Sequence, residues 1–245
     1  MPENQSQPHR VAWKLWMLEA EEVWKGGWSR LWPRMWIILL ACLIGAGLVM
    51  TISPTDISLQ QMVRIDNSQA ANSAAHFFSR YGDLNVGGPL AVLIWIGGAA
   101  RDRVRWRKLG LALLMALLLS GLIVNIFRVG TGRPRPYAAE PNTAVSDGFY
   151  GPHRSADYQS FPSGHATASS TTAATLAGAM PLLTLPAAVY TFSVSWSRMQ
   201  LNKHHPIDVT VGTIIGTLCG LCFASTVPGA WICLKERKPK RRGSQ

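Results

Sequence analysis

The stretch LGLALLMALLLSGLIVNIF, residues 109–127, decides the fold class of this chain of 245 residues. It runs for 19 positions without a charged side chain. A membrane-spanning α-helix needs about 20 apolar residues at a rise of about 1.5 Å each. A helix of a soluble protein would carry polar residues on its outer face, and this stretch does not. It therefore predicts a helix that crosses a lipid bilayer.

Five further uncharged apolar segments flank this one, at residues 35–52, 84–100, 166–182, 183–196 and 209–227. We therefore expect an all-α polytopic membrane protein with six transmembrane helices, which together form one domain at residues 35–234. Cys219 and Cys222 lie in the last segment. They are expected to pack as small residues, because no second cysteine pair and no nearby histidine indicate a metal site.

The basic residues indicate how the chain is oriented. Residues 101–108 carry a net charge of +4, and residues 235–242 carry +5. Cytoplasmic loops are enriched in Lys and Arg, so both segments are expected inside, the second within a basic cytoplasmic tail at 235–245. Six spans then put both termini in the cytoplasm and the segments 53–83 and 128–165 outside. No signal peptide precedes the first span, which is expected to act as an uncleaved insertion signal.

Tryptophan is concentrated at the amino terminus, where the first 36 residues hold six of the ten in the chain. Several apolar residues there share one helical face, with Lys and Glu around it: Trp13, Trp16, Met17, Trp24, Trp28 and Leu31. This pattern predicts that residues 1–34 form an amphipathic helix in the cytoplasmic headgroup region, in contact with membrane lipids. A helix that binds a soluble partner protein is the alternative.

The exterior segment 128–165 breaks the charge rule, because it contains Arg128, Arg133, Arg135 and Arg154. Either the span count is wrong by one, or these arginines bind anions or lipid headgroups. The 32 residues between His165 and Arg198 contain no ionisable side chain other than a tyrosine, which is enough for two helices and a turn at 180–186. The chain therefore returns to the same side, and residues 128–136, 163–165 and 198–208 gather on one membrane face.

These three clusters share a chemistry that suits a phosphate group. The planar fork of arginine binds phosphate oxygens in pairs. PSGH, residues 162–165, begins a helix whose free N–H groups favour an anion, and Gly164 allows close approach of the backbone.

A histidine and an aspartate four residues apart complete the candidate site. Pro206 suits the first turn of the last helix, so His204 lies at its mouth with Asp208 within hydrogen-bond reach. A carboxylate on one ring nitrogen would leave the other free to attack phosphorus, while His165 protonates the leaving oxygen. In the simpler alternatives, Asp208 only complements the helix dipole and Arg198 marks a membrane interface.

The motifs resemble the membrane branch of the type 2 phosphatidic acid phosphatase superfamily, whose signature is K-x6-R-P, P-S-G-H and S-R-x5-H-x3-D. The second motif is complete at residues 162–165, and the third is complete from Ser197 to Asp208. The first matches at Arg135 and Pro136, with Arg128 in place of the usual lysine. That replacement keeps the charge but changes its reach and hydrogen-bond geometry.

The resemblance implies a role for each motif residue. His204 would be the nucleophile that forms a phosphohistidine, oriented by Asp208, and His165 would be the acid and then the base. The phosphate would be held by Arg128, Arg135, Arg198 and the Ser163–Gly164 segment. No metal ion, other cofactor or nucleic acid is implied.

The expected function is a lipid phosphatase at the periplasmic face of a bacterial inner membrane. Substrates of the family include lipid A phosphate, undecaprenyl pyrophosphate and glycerophospholipid phosphates. The basic segment 128–165 suits a multiply charged headgroup, which favours the first two. Two alternatives stay open: a phosphotransferase that uses the same site, and a non-catalytic protein that binds or transports lipid phosphates. The oligomeric state is not indicated by the sequence.

Overall fold

A computed structural model describes residues 7–66, 68–139 and 147–234. Within these ranges the chain forms eight α-helices and no β-strand, which confirms the all-α class. The helices are α1 (Gln7–Leu31), α2 (Met35–Val63), α3 (Gln69–Tyr81), α4 (Leu84–Ala100), α5 (Val104–Thr131), α6 (Gly164–Ala179), α7 (Thr184–Gln200) and α8 (Pro206–Ala224).

A helix lies at each of the six predicted membrane spans, but length and composition support fewer crossings. Three stretches of the described chain are long and apolar enough to cross a membrane: Trp13–Val63, Val104–Ala138 and Pro206–Ala224. A fourth is α3 with α4, if this pair, bent by 47°, counts as one span. Because α6 and α7 have only 16 and 17 residues, six spans remain a prediction.

The centre of the bundle is the contact between α6 and α8, which lie against each other along most of their length. Gly212, Gly216 and Gly220 repeat at intervals of four on α8 and face α6. A Cβ atom on Gly216 would lie 2.3 Å from the carbonyl oxygen of Thr167. Small residues at this spacing let two membrane helices approach closely.

The helix ends that face the site form as the sequence predicts. Ser163 is the N-cap of α6, and its hydroxyl accepts a hydrogen bond from the N–H of Ala166 at 3.5 Å. Pro206 is the first residue of α8, where its missing N–H needs no partner. The turn between α6 and α7 contains a short 3-10 helix at Pro181–Leu183. The motif residues therefore lie at helix ends on one side of the bundle.

The segment 53–83, which the charge pattern predicts to lie outside, is mostly helical. The backbone of α2 is not helical at Ile52, where φ is −126° and ψ is 28°, and the break lies just before Pro54. Proline disrupts the helix at this point because it lacks an N–H and clashes with the preceding turn. The rest of α2 carries Asp56 into the protein, where this side chain is buried. The helix α3 also lies in this segment and packs against α7.

The tryptophan-rich helix α1 is held partly by the protein itself. Its Val23 and Leu31 are buried in the main core, and Glu19 forms a paired ion contact with Arg107 of α5 at 2.8 and 3.0 Å. Trp13 and Trp32 remain exposed. The interfacial location of α1 stays a prediction, and residues 1–6 and the basic tail 235–245 lie outside the described residues.

Candidate active site

Five of the predicted site residues line one cavity of about 300 Å³ between α4, α5, α6 and α7. They are Arg128, Arg135, Gly164, His165 and Arg198. Its volume lies at the lower end of the range for small-molecule sites, about 300–1,000 Å³. The segments that carry these residues are far apart in sequence, and the fold brings them together. The other predicted site residues, Ser163, His204 and Asp208, are not among those that line this cavity.

The arginines present hydrogen-bond donors that have no protein acceptor. The Nε atoms of Arg135 and Arg198 are buried and lack a partner among the described residues. Arg198 is also held by a hydrogen bond from Nη1 to the hydroxyl of Ser79 on α3. A buried guanidinium donor without a partner is unfavourable unless a ligand supplies the acceptor. These donors therefore indicate a site for an anion.

Gly164 keeps the first turn of α6 open to that anion. A Cβ atom at this position would lie 3.0 Å from Nη1 of Arg128, so a larger residue would press on this guanidinium group. Arg128 is fixed from its other side, because its Nε donates to the carbonyl of Gln159 at 3.2 Å. The free N–H groups at the start of α6 and the arginine can thus approach the same ligand.

His204 is buried just before α8, is not among the residues that line the cavity, and is held in one orientation. Its Nδ1 lies 2.8 Å from the carbonyl oxygen of Ser160. A carbonyl only accepts, so Nδ1 carries the proton, and Nε2 holds the free electron pair when the ring is neutral. Burial lowers the pKa of His204 well below its ordinary range, although the carboxylate of Asp208 opposes this shift. The ring is therefore neutral, and Nε2 carries its free electron pair.

Asp208 orients His204 through an intermediate residue. Its carboxylate Oδ2 lies 3.8 Å from Nδ1 of His204, too far for the direct hydrogen bond that the sequence predicts. Instead, the hydroxyl of Ser160 donates to Oδ2 at 2.6 Å, while the carbonyl of the same serine accepts from His204. The direct contact is missing because Ser160 supplies the acceptor for the histidine.

Arg133 lies in a buried ionic cluster and not in the cavity. Its side chain is fully buried, with Nη1 at 2.7 Å from Asp208, Nη2 at 2.8 Å from Asp56 and Nε at 3.0 Å from Asp147. Burial alone would lower the pKa of Arg133, but the three carboxylates raise it, so the guanidinium stays charged. The prediction that this arginine binds an anion or headgroup outside the protein is therefore wrong.

The sequence reasoning missed four residues of this region, namely Asp56, Asp83, Asp147 and Ser160. Asp83 lines the cavity, Ser160 connects Asp208 to His204, and the other two pair with Arg133. One sequence feature could have indicated Asp56, namely a carboxylate that follows an apolar segment and a proline. Asp147 and Ser160 have no such feature, because their contacts are made with residues distant in sequence. Asp83 is recognisable in the sequence only as a helix cap, and its place in the cavity depends on the fold.

Known proteins are similar in sequence to much of this chain. Residues 109–232 match the PAP2 superfamily. An undecaprenyl-diphosphatase from Sulfolobus acidocaldarius is 27% identical over 193 residues, which cover 74% of this chain and 85% of that protein. A decaprenylphosphoryl-5-phosphoribose phosphatase from Mycobacterium tuberculosis is 31% identical over 169 residues, which cover 69% of this chain and 85% of that protein.

A solved structure shares the fold. It is the transmembrane PAP2 type phosphatidylglycerolphosphate phosphatase from Bacillus subtilis, with a TM-score of 0.56 and 20% sequence identity. The match covers 80% of this chain and 94% of that chain.

Proposed function

The chain belongs to the PAP2 superfamily, as its motifs predict, and on this premise we propose that it is a membrane lipid phosphatase. It would remove a phosphate from a lipid phosphomonoester or pyrophosphate through a phosphohistidine. The observation that carries the proposal is the cavity in which three arginines and His165 meet. The buried Nε donors of two of these arginines, Arg135 and Arg198, lack a partner among the described residues.

In the first step, the phosphoryl group binds between the three arginines and the first turn of α6. Nε2 of His204 attacks phosphorus and forms a P–N bond while the P–O bond to the lipid breaks. The electron pair of that bond stays on the leaving oxygen, which takes a proton from His165. The arginines act mainly here, because they stabilise the negative charge on the transferred group.

In the second step, His165 takes a proton from water. The resulting oxygen attacks phosphorus, the P–N bond breaks, and its electron pair returns to Nε2 of His204. Inorganic phosphate leaves and the starting protonation state is restored. Throughout the cycle, the carbonyl of Ser160 and the charge of Asp208 stabilise the protonated Nδ1, whose ring becomes positively charged in the phosphohistidine.

The proposal includes a topology with six spans, formed by α2 and α4 to α8, and with both termini in the cytoplasm. The site would then face the periplasm of a bacterial inner membrane. Large apolar side chains on the outer surface support contact with lipid, among them Leu93, Leu122 and Phe192. Arg101 and Arg103 are exposed beside the start of α5, at the opposite end of that helix from the cavity.

The test compares the wild type, His204→Ala and His204→Gln in detergent with EDTA present. Phosphate release from a panel of lipid phosphates is measured together with phosphorylated lipid products. We expect release by the wild type, none by either variant, and an acid-labile phosphoryl adduct in the wild type. His76→Ala is the matched control, because this histidine is exposed on α3 away from the cavity.

The other outcomes separate the alternatives. Transfer of the phosphoryl group to a second lipid would favour a phosphotransferase. Release that persists in both His204 variants would remove this histidine as the nucleophile. Loss of release in EDTA that added metal restores would contradict metal independence.

A further inference from the structure

Asp83 introduces a negative charge into a cavity that is otherwise built for an anion. Among the described residues that line this cavity, it is the one carboxylate, beside Arg128, Arg135 and Arg198. A carboxylate repels phosphate, so its position needs a reason other than phosphate binding.

Capping of α4 does not supply that reason. The side chain of Asp83 accepts from the N–H of Leu84 at 2.7 Å and from the amide of Asn85 at 3.1 Å. Asparagine or serine caps a helix about as well and carries no charge. A carboxylate offers about four acceptor positions, and these two contacts leave others free on a half-buried side chain.

The location of Asp83 indicates which part of a substrate it would meet. A second, apolar groove of about 320 Å³ begins beside it and is lined by Tyr81, Val86, Gly87, Thr172 and Tyr190. Thr172 is one helical turn from Ala168, which lines the arginine cavity. If the arginines hold the phosphate and this groove holds a hydrocarbon chain, the group that joins these two parts of the substrate would pass Asp83.

The charge of Asp83 also affects how many phosphoryl groups the cavity suits. Its carboxylate lowers the positive charge that Arg128, Arg135 and Arg198 give the lining. A lipid pyrophosphate carries a further ionised phosphoryl group, for which the negative charge of Asp83 is unfavourable.

Building on the proposed function, we infer that Asp83 is a specificity-determining residue that accepts a hydrogen bond from a hydroxyl of the group bearing the scissile phosphate. The substrate class is then a lipid phosphomonoester of a sugar or polyol. Phosphatidylglycerol phosphate and a ribose 5-phosphate on a polyprenyl phosphate have such a hydroxyl next to the phosphate. Phosphatidic acid and undecaprenyl pyrophosphate have none.

The test measures kcat/KM for these four lipids with the wild type and Asp83→Asn, which keeps the size and cap of the side chain. We expect the wild type to prefer the two hydroxyl-bearing lipids. In the variant, kcat/KM for those two should fall about tenfold, the loss typical of a hydrogen bond to a charged group. For undecaprenyl pyrophosphate it should stay unchanged or rise. Asp83→Ser, a second uncharged cap, should give the same change.

Asp66→Asn is the control, because this carboxylate is exposed on the exterior segment and pairs with Arg64 at 2.9 Å. It should leave all four values unchanged. An equal fall of all four values in Asp83→Asn, or no change in their ratio, would overturn the role of Asp83 while leaving the phosphatase proposal intact. If the wild type hydrolyses none of the four lipids but releases phosphate from lipid A phosphate, the role of Asp83 is overturned and the phosphatase proposal stands. If it hydrolyses no lipid phosphate at all, the phosphatase proposal fails as well.

Discussion

At the scale of single residues, the two arginines of GRPRP (residues 132–136) show how neighbouring positions diverge in role. Arg135 lines the cavity and its Nε has no protein partner among the described residues, while Arg133 is buried among three carboxylates. Arg133 connects α2, through Asp56, to α8, through Asp208. Arg133 thus joins two helices of the fold, whereas Arg135 keeps a hydrogen-bond donor for a ligand.

This difference predicts opposite effects of the same substitution. Arg133→Met leaves three buried carboxylates without their cation, so we expect a loss of about 3–5 kcal/mol in the free energy of unfolding. Arg135→Met removes a donor that no described protein group satisfies, so we expect near wild-type stability and loss of phosphate release. Thermal unfolding in detergent and a phosphate assay check both. The assignment is wrong if Arg135→Met is the less stable variant.

At the scale of elements, the contact between α6 and α8 sets the distance between PSGH and the helix that follows His204. The glycines of α8 allow close packing, and the hydroxyls of α6 bond within the protein. Thr167, for example, donates to the carbonyl of Gly212 at 2.9 Å. Ser163 donates its N–H to the carbonyl of Asp208 at 2.9 Å, which joins the two helix starts directly. The catalytic geometry therefore depends on this packing.

Gly216→Ala tests the dependence. Its Cβ atom would clash with the backbone of Thr167, and the helices must separate, so we expect a loss of about 1–3 kcal/mol in stability and reduced kcat. Gly47→Ala in α2 is the control, because no atom lies within 4 Å of its added Cβ. A melting temperature of Gly216→Ala equal to that of the control would show that the contact is looser than described.

At the scale of the whole molecule, the helices separate two chemically different ends. One end holds the arginine cavity and the histidines. The other holds the basic start of α5, where Arg105 donates to the carbonyl of Ala179 at the end of α6, and Arg107 and Lys108 pair with acidic residues of α1. In the proposed orientation, the first end faces the periplasm and the second end faces the cytoplasm.

The cysteines allow this orientation to be measured without a reporter fusion. Cys233, beyond the end of α8, is exposed, whereas Cys42, Cys219 and Cys222 are buried. We expect a membrane-impermeant maleimide to label Cys233 in inverted vesicles and not in intact cells. Cys233→Ser should abolish the signal, and Ala156→Cys in the Cys233→Ser background should be labelled from outside. Labelling of Cys233 in intact cells would show that the orientation is the opposite of the proposed one.

Much of this protein follows from its sequence alone. Uncharged runs of sufficient length form helices, because a helix satisfies its own backbone in a medium without water. Ser163 and Pro206 fix two helix starts through local geometry that depends on a few neighbouring residues. The motif residues were identified for the same reason, since each has a distinctive type at a fixed spacing.

The tertiary structure decided the rest, because the remaining contacts join residues distant in sequence. Whether Arg133 or Arg135 faces the cavity depends on where Asp56 and Asp147 lie, and neither carboxylate is near them in the chain. The hydroxyl and carbonyl of Ser160 replace the direct contact between Asp208 and His204, although the spacing of four favours that contact. Asp83 meets the arginines only because α4 begins beside the ends of α5 and α7. Local sequence specifies the helices, and their packing determines which polar groups meet.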